Sequence, residues 1–159
     1  MNEQKVWLGS SVGLGRAVVE HVLSQGSKVV ATCRKTSDLD DLVAKYPASQ
    51  LVVARLDVTI ASEINAAFAR AIKGFGRVDV VYNNAGFNVI AEIESITDEY
   101  ARSLFEVNFW GVANVSREAV RVFRDVNSPP GGRLLQASSM GGIRTNPGVG
   151  YYCATYVFS

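Results

Sequence analysis

The sequence predicts a doubly wound α/β fold, one parallel sheet of about five strands with helices on both faces. Three observations carry this expectation. Short β-branched runs alternate with helix-period segments along the whole length. Most of the runs are continuous apolar strings, as expected of strands buried on both faces of a parallel sheet. The regular order of strand, helix and strand implies right-handed crossovers.

The first strand is expected over Lys5–Leu8. A glycine turn follows, and then a helix whose Leu14, Val18 and Val22 form an apolar stripe, with Gly26 placed to end it. Lys28–Cys33 and Leu51–Leu56 read as the second and third strands. Ile64, Ala67, Phe68, Ala71 and Ile72 recur at helical spacing and predict the next core-facing helix. Val78–Tyr82 is the fourth strand. A long helix is expected from Thr97, as N-cap, to about Arg124, before the stop at Pro129–Pro130. Arg133–Ala137 is the fifth strand, and the fifth helix is cut off soon after it starts. The 159 residues read as one domain, 1–159.

Composition removes several function classes. Sixteen Lys+Arg against 15 Asp+Glu leave a formal charge of +1, with no basic stripe for a nucleic acid. No window approaches about 18 consecutive apolar residues, so no membrane span is expected. Met1–Lys5 is polar and lacks an apolar signal core, which points to a cytoplasmic protein. Two cysteines, Cys33 and Cys153, and one histidine, His21, are too few for a thiolate or imidazole metal site, so no metal is expected.

The turn after the first strand is Gly9-Ser10-Ser11-Val12-Gly13-Leu14-Gly15. Glycines there allow close backbone approach to a pyrophosphate, and the following helix N-terminus offers free N–H groups to the anion. A plain strand-to-helix turn is the bland alternative. Gly9 to Gly13 also spell G-x-S-x-G, the nucleophile-elbow pattern with Ser11 as nucleophile. That chemistry needs a histidine in reach, and His21 is expected at the far end of the next helix.

More specific spacings follow. Asn83-Asn84-Ala85-Gly86 comes after the fourth strand, and Asn108 falls on the apolar stripe of the long helix, four residues from Leu104 and from Val112. The fifth strand leads into Ala137-Ser138-Ser139-Met140-Gly141-Gly142, and Tyr152 lies thirteen residues beyond Ser139. Together with the glycine turn, these motifs resemble the short-chain dehydrogenase/reductase family over almost the entire chain. The resemblance implies a Rossmann-type domain that binds a nicotinamide cofactor through Gly9, Ser11, Gly13, Leu14, Gly15, Asn83, Ala85 and Gly86. It implies that Tyr152 moves the hydroxyl proton and Ser139 orients the substrate oxygen, consistent with what hydride transfer at a carbinol carbon requires. Ser138 and Tyr151 keep the same spacing. The Ser139–Tyr152 pair is preferred because Cys153-Ala154-Thr155 resembles the family's stretch before its lysine. Asn108 either holds a water in the proton relay, as in the family, or is a buried amide bonded to local backbone.

Family members that use NAD carry an acid at the end of the second strand. Here Cys33 stands there, and Arg34 and Lys35 follow, so a 2′-phosphate and hence NADP are favoured. Asp57 resembles the acid that contacts adenine, or else caps the next helix.

The chain departs from the family in three places. The motif lysine four residues after Tyr152 is Tyr156. A free phenol has a pKa near 10, and bringing it to neutrality takes roughly 4 kcal/mol that a neutral side chain does not supply. The expected loss is of order a thousandfold in rate. The later strands and the substrate-covering segment are absent. The fifth helix, which in the family packs on the long helix and forms much of the dimer interface, has barely begun. Its absence should leave Leu104, Val112 and Val115 partly uncovered and compromise a homo-oligomer. The first strand looks about two residues short, with Leu8 where threonine is usual. Three functions stay open: an NADP-dependent oxidoreductase acting on a carbonyl/alcohol pair, an NADPH-binding relative without turnover, and an incomplete product of a longer reductase, with Val157-Phe158-Ser159 read past a junction.

Overall fold

The computed structural model describes residues 6–10, as backbone, and residues 13–157. Ser11 and Val12 of the glycine turn, like Phe158 and Ser159, lie outside the described residues. Five strands, β1 (Val6–Ser10), β2 (Lys28–Cys33), β3 (Leu51–Arg55), β4 (Val80–Asn83) and β5 (Arg133–Gln136), form one sheet in the order β3-β2-β1-β4-β5. Every pairing in it is parallel. The doubly wound α/β expectation holds.

Two strand ends move relative to the expectation. β1 runs on through Gly9 and Ser10, with Gly9 paired to Ala31 on one side and Tyr82 on the other. Gly9 therefore lies within a central strand rather than in the turn. β4 begins at Val80 and takes in Asn83, which pairs with Gln136. In both cases the ladder continues as far as the neighbours reach, whatever the local propensity. β5 also differs, being an edge strand paired to β4 alone, with Leu135 43% exposed.

Helices α1 (Gly13–Ser24) and α2 (Asp40–Lys45) follow β1 and β2, and α3 (Ala61–Phe75) follows β3. Successive residues of a strand face opposite sides. Accordingly Val29, Ala31 and Cys33 join Val19, Leu23 and Leu39 in one core, while Val30 joins Ala54, Phe68, Val81 and Val115 in the other. The α3 stripe is confirmed: Ile64, Ala67, Phe68 and Ala71 are buried, and Ile72 packs beside them. The α1 stripe holds in part: Val22 is buried and Val18 packs against the core. Leu14 is 74% exposed, and the buried face is Gly15, Val19, Val22 and Leu23. Helix phase is set by docking on the sheet, and that docking turns the first-turn leucine outward. Gly26 ends α1 as expected, in the left-handed region at φ 79°.

The long helix begins where expected, with the Thr97 hydroxyl accepting the Tyr100 N–H at 3.3 Å. It continues as α4 (Asp98–Phe105), a π-helical turn (Glu106–Gly111), α5 (Val112–Arg121) and a second π-helical turn (Val122–Val126). Leu104 and Val115 are buried, contrary to the expected uncovering, and Val112 alone of the three is half-buried. Val115 points into the α3 core, and α4 packs on α6 (Gly150–Val157), so the short last helix is enough to shelter that side. Asn127 closes the run: its amide donates to the Val78 and Gly131 carbonyls, and its oxygen accepts the Val78 N–H. Among the described residues no helix is long and apolar enough to cross a membrane.

Phe68 is 1% exposed at the centre of the larger core. Phe68→Ala is expected to lower unfolding free energy by about 3–5 kcal/mol, read by urea denaturation.

Candidate functional site

In a parallel sheet all strands deliver their carboxyl ends to one edge. Strand order reverses between β1 and β4, because the chain builds β1, β2 and β3 to one side and β4 and β5 to the other. That is where open α/β sheets hold ligands. The glycine turn leaves β1 on one side of the switch, and Asn84-Ala85-Gly86 leaves β4 on the other.

On the β1 side, α1 starts at Gly13, whose φ of 55° is a backbone state that strongly favours glycine. Gly15 is buried against the sheet, Leu14 projects outward, and Ser11 lies outside the described residues. His21 is exposed in the last turn of α1, roughly 12 Å along the axis from its start. It cannot serve a nucleophile at the turn.

Cys33 ends β2, and Arg34 and Lys35 beyond it are exposed. Arg34 keeps its guanidinium outward while its carbonyl accepts Arg55 Nε at 3.4 Å. Asp57 is not the cap of α3, which begins after Ile60 without a side-chain cap. Its carboxylate instead accepts the Thr59 N–H at 3.0 Å and the Thr59 hydroxyl at 2.7 Å. Burial works to raise its pKa, but the two Thr59 hydrogen bonds and the Arg34 and Arg55 charges outweigh it, and the pKa is lowered. Glu63, which sequence reading did not single out, holds the Asp57 N–H at 2.8 Å and pairs with Arg55 at 2.6 Å.

On the β4 side, the buried Asn83 amide donates to the Val112 carbonyl at 3.1 Å and ties the strand end to the long helix. Ala85 packs against the larger core, while Gly86 is exposed. Asn108 lies in the first π-helical turn and is fully buried. Its oxygen accepts the Phe87 N–H at 3.0 Å, and its nitrogen donates to the Phe87 carbonyl at 2.9 Å and to the Thr155 hydroxyl at 3.2 Å. Both amide donors are spent, one on the Phe87 carbonyl and one on the Thr155 hydroxyl. π-helical turns recur at functional sites, and this one aims Asn108 at the loop after β4.

Ser139 and Tyr152 meet. The Tyr152 hydroxyl donates to Ser139 Oγ at 2.9 Å, and Ser139 Oγ also accepts the Gly141 N–H at 3.1 Å. Of the two serine–tyrosine pairs with that spacing, this is the one the fold brings together. A Cβ at Gly141 would lie 3.1 Å from the Tyr152 ring, a tight contact that the ring would have to relieve by moving a few tenths of an ångström. Thr155 is a residue that sequence reading missed. Fully buried, it donates to the Tyr152 carbonyl at 2.7 Å and so links Asn108 to the tyrosine helix. Its only sequence signal is its place three residues after Tyr152, from which a hydroxyl reaches back along a helix.

The family model for short chain dehydrogenases matches residues 6–157. The chain belongs to the short-chain dehydrogenase family. It is 40% identical over 147 residues to an uncharacterized oxidoreductase of Schizosaccharomyces pombe, covering 92% of this chain and 48% of that one. The oxidoreductase calM of Penicillium decumbens is 39% identical over 151 residues, covering 92% and 49%. A short-chain dehydrogenase from Streptomyces avermitilis superposes with a TM-score of 0.89 at 36% identity, covering 99% of this chain and 57% of its own. The chain thus spans about half the length of the curated relatives it matches.

Two outcomes are expected. Asn108→Ala leaves the Phe87 backbone groups unpaired and should cost about 2 kcal/mol or more by chemical denaturation. The Asp57 carboxyl titrates lower folded than unfolded, so its stabilisation is complete above about pH 4 and is lost as pH falls through the folded value. Asp57→Asn should therefore lose less stability than the parent between about pH 5 and pH 2 in thermal melts.

Proposed function

We propose that this chain carries the cofactor-binding and proton-transferring half of an NADP-dependent oxidoreductase that interconverts a carbonyl and an alcohol. The observation that carries the reading is the 2.9 Å contact between Tyr152 and Ser139, beyond the carboxyl end of β5. A carbonyl oxygen placed against both hydroxyls takes a proton from Tyr152 and a hydrogen bond from Ser139 as charge develops on it. The cytoplasm is the compartment that fits two buried cysteines outside any disulfide.

The residues fit a dinucleotide. Gly13 offers a left-handed backbone at a helix N-terminus. When bound, the nicotinamide supplies hydride to the carbonyl carbon or accepts it back. Arg34 and Lys35 would face a 2′-phosphate, Asp57 the adenosine, and Asn83 and Ala85 would shape the floor beneath the ring. Asn108 acts through Phe87, holding the loop that carries Gly86.

A second reading, nucleotide binding without turnover, is favoured by Tyr156. It stands where the family has lysine, with its ring centroid 4.9 Å from that of Tyr152. Burial first, then the charge and hydrogen bond of Tyr152, push its phenol up to about 12. It brings no cation to the site.

A fluorescence titration with NADPH, and separately with NADH, tests the cofactor claim. Saturable binding tighter for NADPH is expected, and Arg34→Ala should remove about tenfold of that preference. Equal affinity for both nucleotides would overturn the NADP assignment. Ser139→Ala and Tyr152→Phe should keep nucleotide binding while abolishing any measurable NADPH oxidation with a ketone panel. Loss of binding in both would place them in the binding surface instead.

A further inference from the structure

The ends of β2 and β3 are tied side by side. Cys33 is the register partner of Arg55, and the Leu56 N–H donates to the Cys33 carbonyl at 2.9 Å. Successive strand residues alternate in face. Arg55 therefore follows Leu51 and Val53 onto the side of the sheet where Cys33, α1 and α2 pack. Its guanidinium is turned toward the loop after β2. Nε donates to the Arg34 carbonyl at 3.4 Å, and Nη1 meets Glu63 Oε1 at 2.6 Å. The second Glu63 oxygen accepts the Asp57 N–H at 2.8 Å. Although held at two points, the Arg55 side chain is 62% exposed. Arg34 beside it is exposed too. Both arginine charges act on the Asp57 carboxylate, whose hydrogen bonds go to Thr59. Two guanidinium groups thus converge on one spot at the carboxyl edge of the sheet.

We propose that Arg55 is a second guanidinium for the 2′-phosphate of the dinucleotide, acting on it together with Arg34, and that Glu63 holds it in place for this. The proposal deepens the NADP reading and rests on it. A phosphate monoester presents three acceptor oxygens and close to two negative charges, enough for two planar forks at once. A 2′-hydroxyl offers no charge to either, so the contact separates NADPH from NADH. Arg34, Lys35 and Arg55 outnumber Asp57 and Glu63, which leaves a surplus of positive charge for the phosphate. Because Arg55 is already oriented by Glu63 and the Arg34 carbonyl, less side-chain freedom is lost on binding.

The test is a fluorescence titration of the 159-residue chain with NADPH and with NADH, read as the ratio of the two dissociation constants. Arg55→Met keeps the aliphatic stem and removes the charge. It should lower the preference for NADPH about tenfold, as expected for one charge-assisted contact. Arg34→Ala combined with Arg55→Met should lower it further than either alone. Glu63→Gln keeps an acceptor for the Asp57 N–H and removes the charge beside Arg55, so the preference should hold or rise. An unchanged ratio in Arg55→Met, with an unaltered near-ultraviolet circular dichroism spectrum, overturns the proposal. A fall in Glu63→Gln as large as in Arg55→Met also overturns it, because Arg55 would then only brace α3. If Arg55→Met does not fold, Arg55→Gln is read in the same way. A parent chain that binds both nucleotides equally, or neither, overturns the NADP reading and this proposal with it. A parent preference that falls in Arg34→Ala but not in Arg55→Met overturns this proposal alone.

Discussion

β1 is hydrogen-bonded along both sides, to β2 through Ser10 and to β4 through Gly9. That double pairing locates the switch between the two halves of the sheet. It also fixes the height at which the chain leaves β1 for α1. The residues assigned here to nucleotide and substrate all leave the sheet at that height or from a helix docked on it. A shift of β1 by one residue would reverse every side chain of a central strand and carry the glycine turn with it. Gly9 is tolerated inside that ladder because the pairing on either side supplies the order that its side chain does not.

Below the switch point, one carboxamide coordinates three pieces of chain. Asn108 joins the long helix to the loop after β4 through Phe87 and to α6 through Thr155. Thr155 in turn holds the Tyr152 carbonyl. The Ser139–Tyr152 contact is thus braced from behind by groups that touch no reacting atom. A buried network of this kind is stabilising when every member is satisfied and costly when one is removed.

Much of this was readable in the residues, and the reasons differ by feature. The strand–helix alternation was visible because β-branched runs and the α3 stripe have a period of their own. On α1 only Leu14 was misplaced: Val22 and Val18 do meet the core with Val19 and Leu23, and docking on the sheet turns the first-turn leucine outward. The end of β1 was misplaced because Gly9 and Ser10 have weak strand preference and are held by their neighbours. Ser139 and Tyr152 were found by spacing, but that spacing fits Ser138 and Tyr151 equally; β5 and α6 together decide. Asn127 and Glu63 carry no pattern. Single polar residues acquire meaning only from partners far away in the chain, such as Val78 for Asn127.

The outer side of β5 has a consequence of a different kind. Among the described residues Arg133–Gln136 pairs with β4 on one flank and with no strand on the other, beside the half-exposed Leu135. On the same face Leu14, Val18 and Tyr82 line a groove with Leu135. An open strand edge next to apolar surface is a template for further strands. Two such edges meeting about a two-fold axis would run antiparallel and fuse two sheets into one. The capacity of this chain to associate edge to edge therefore lies in the same four residues that lead into Ser139.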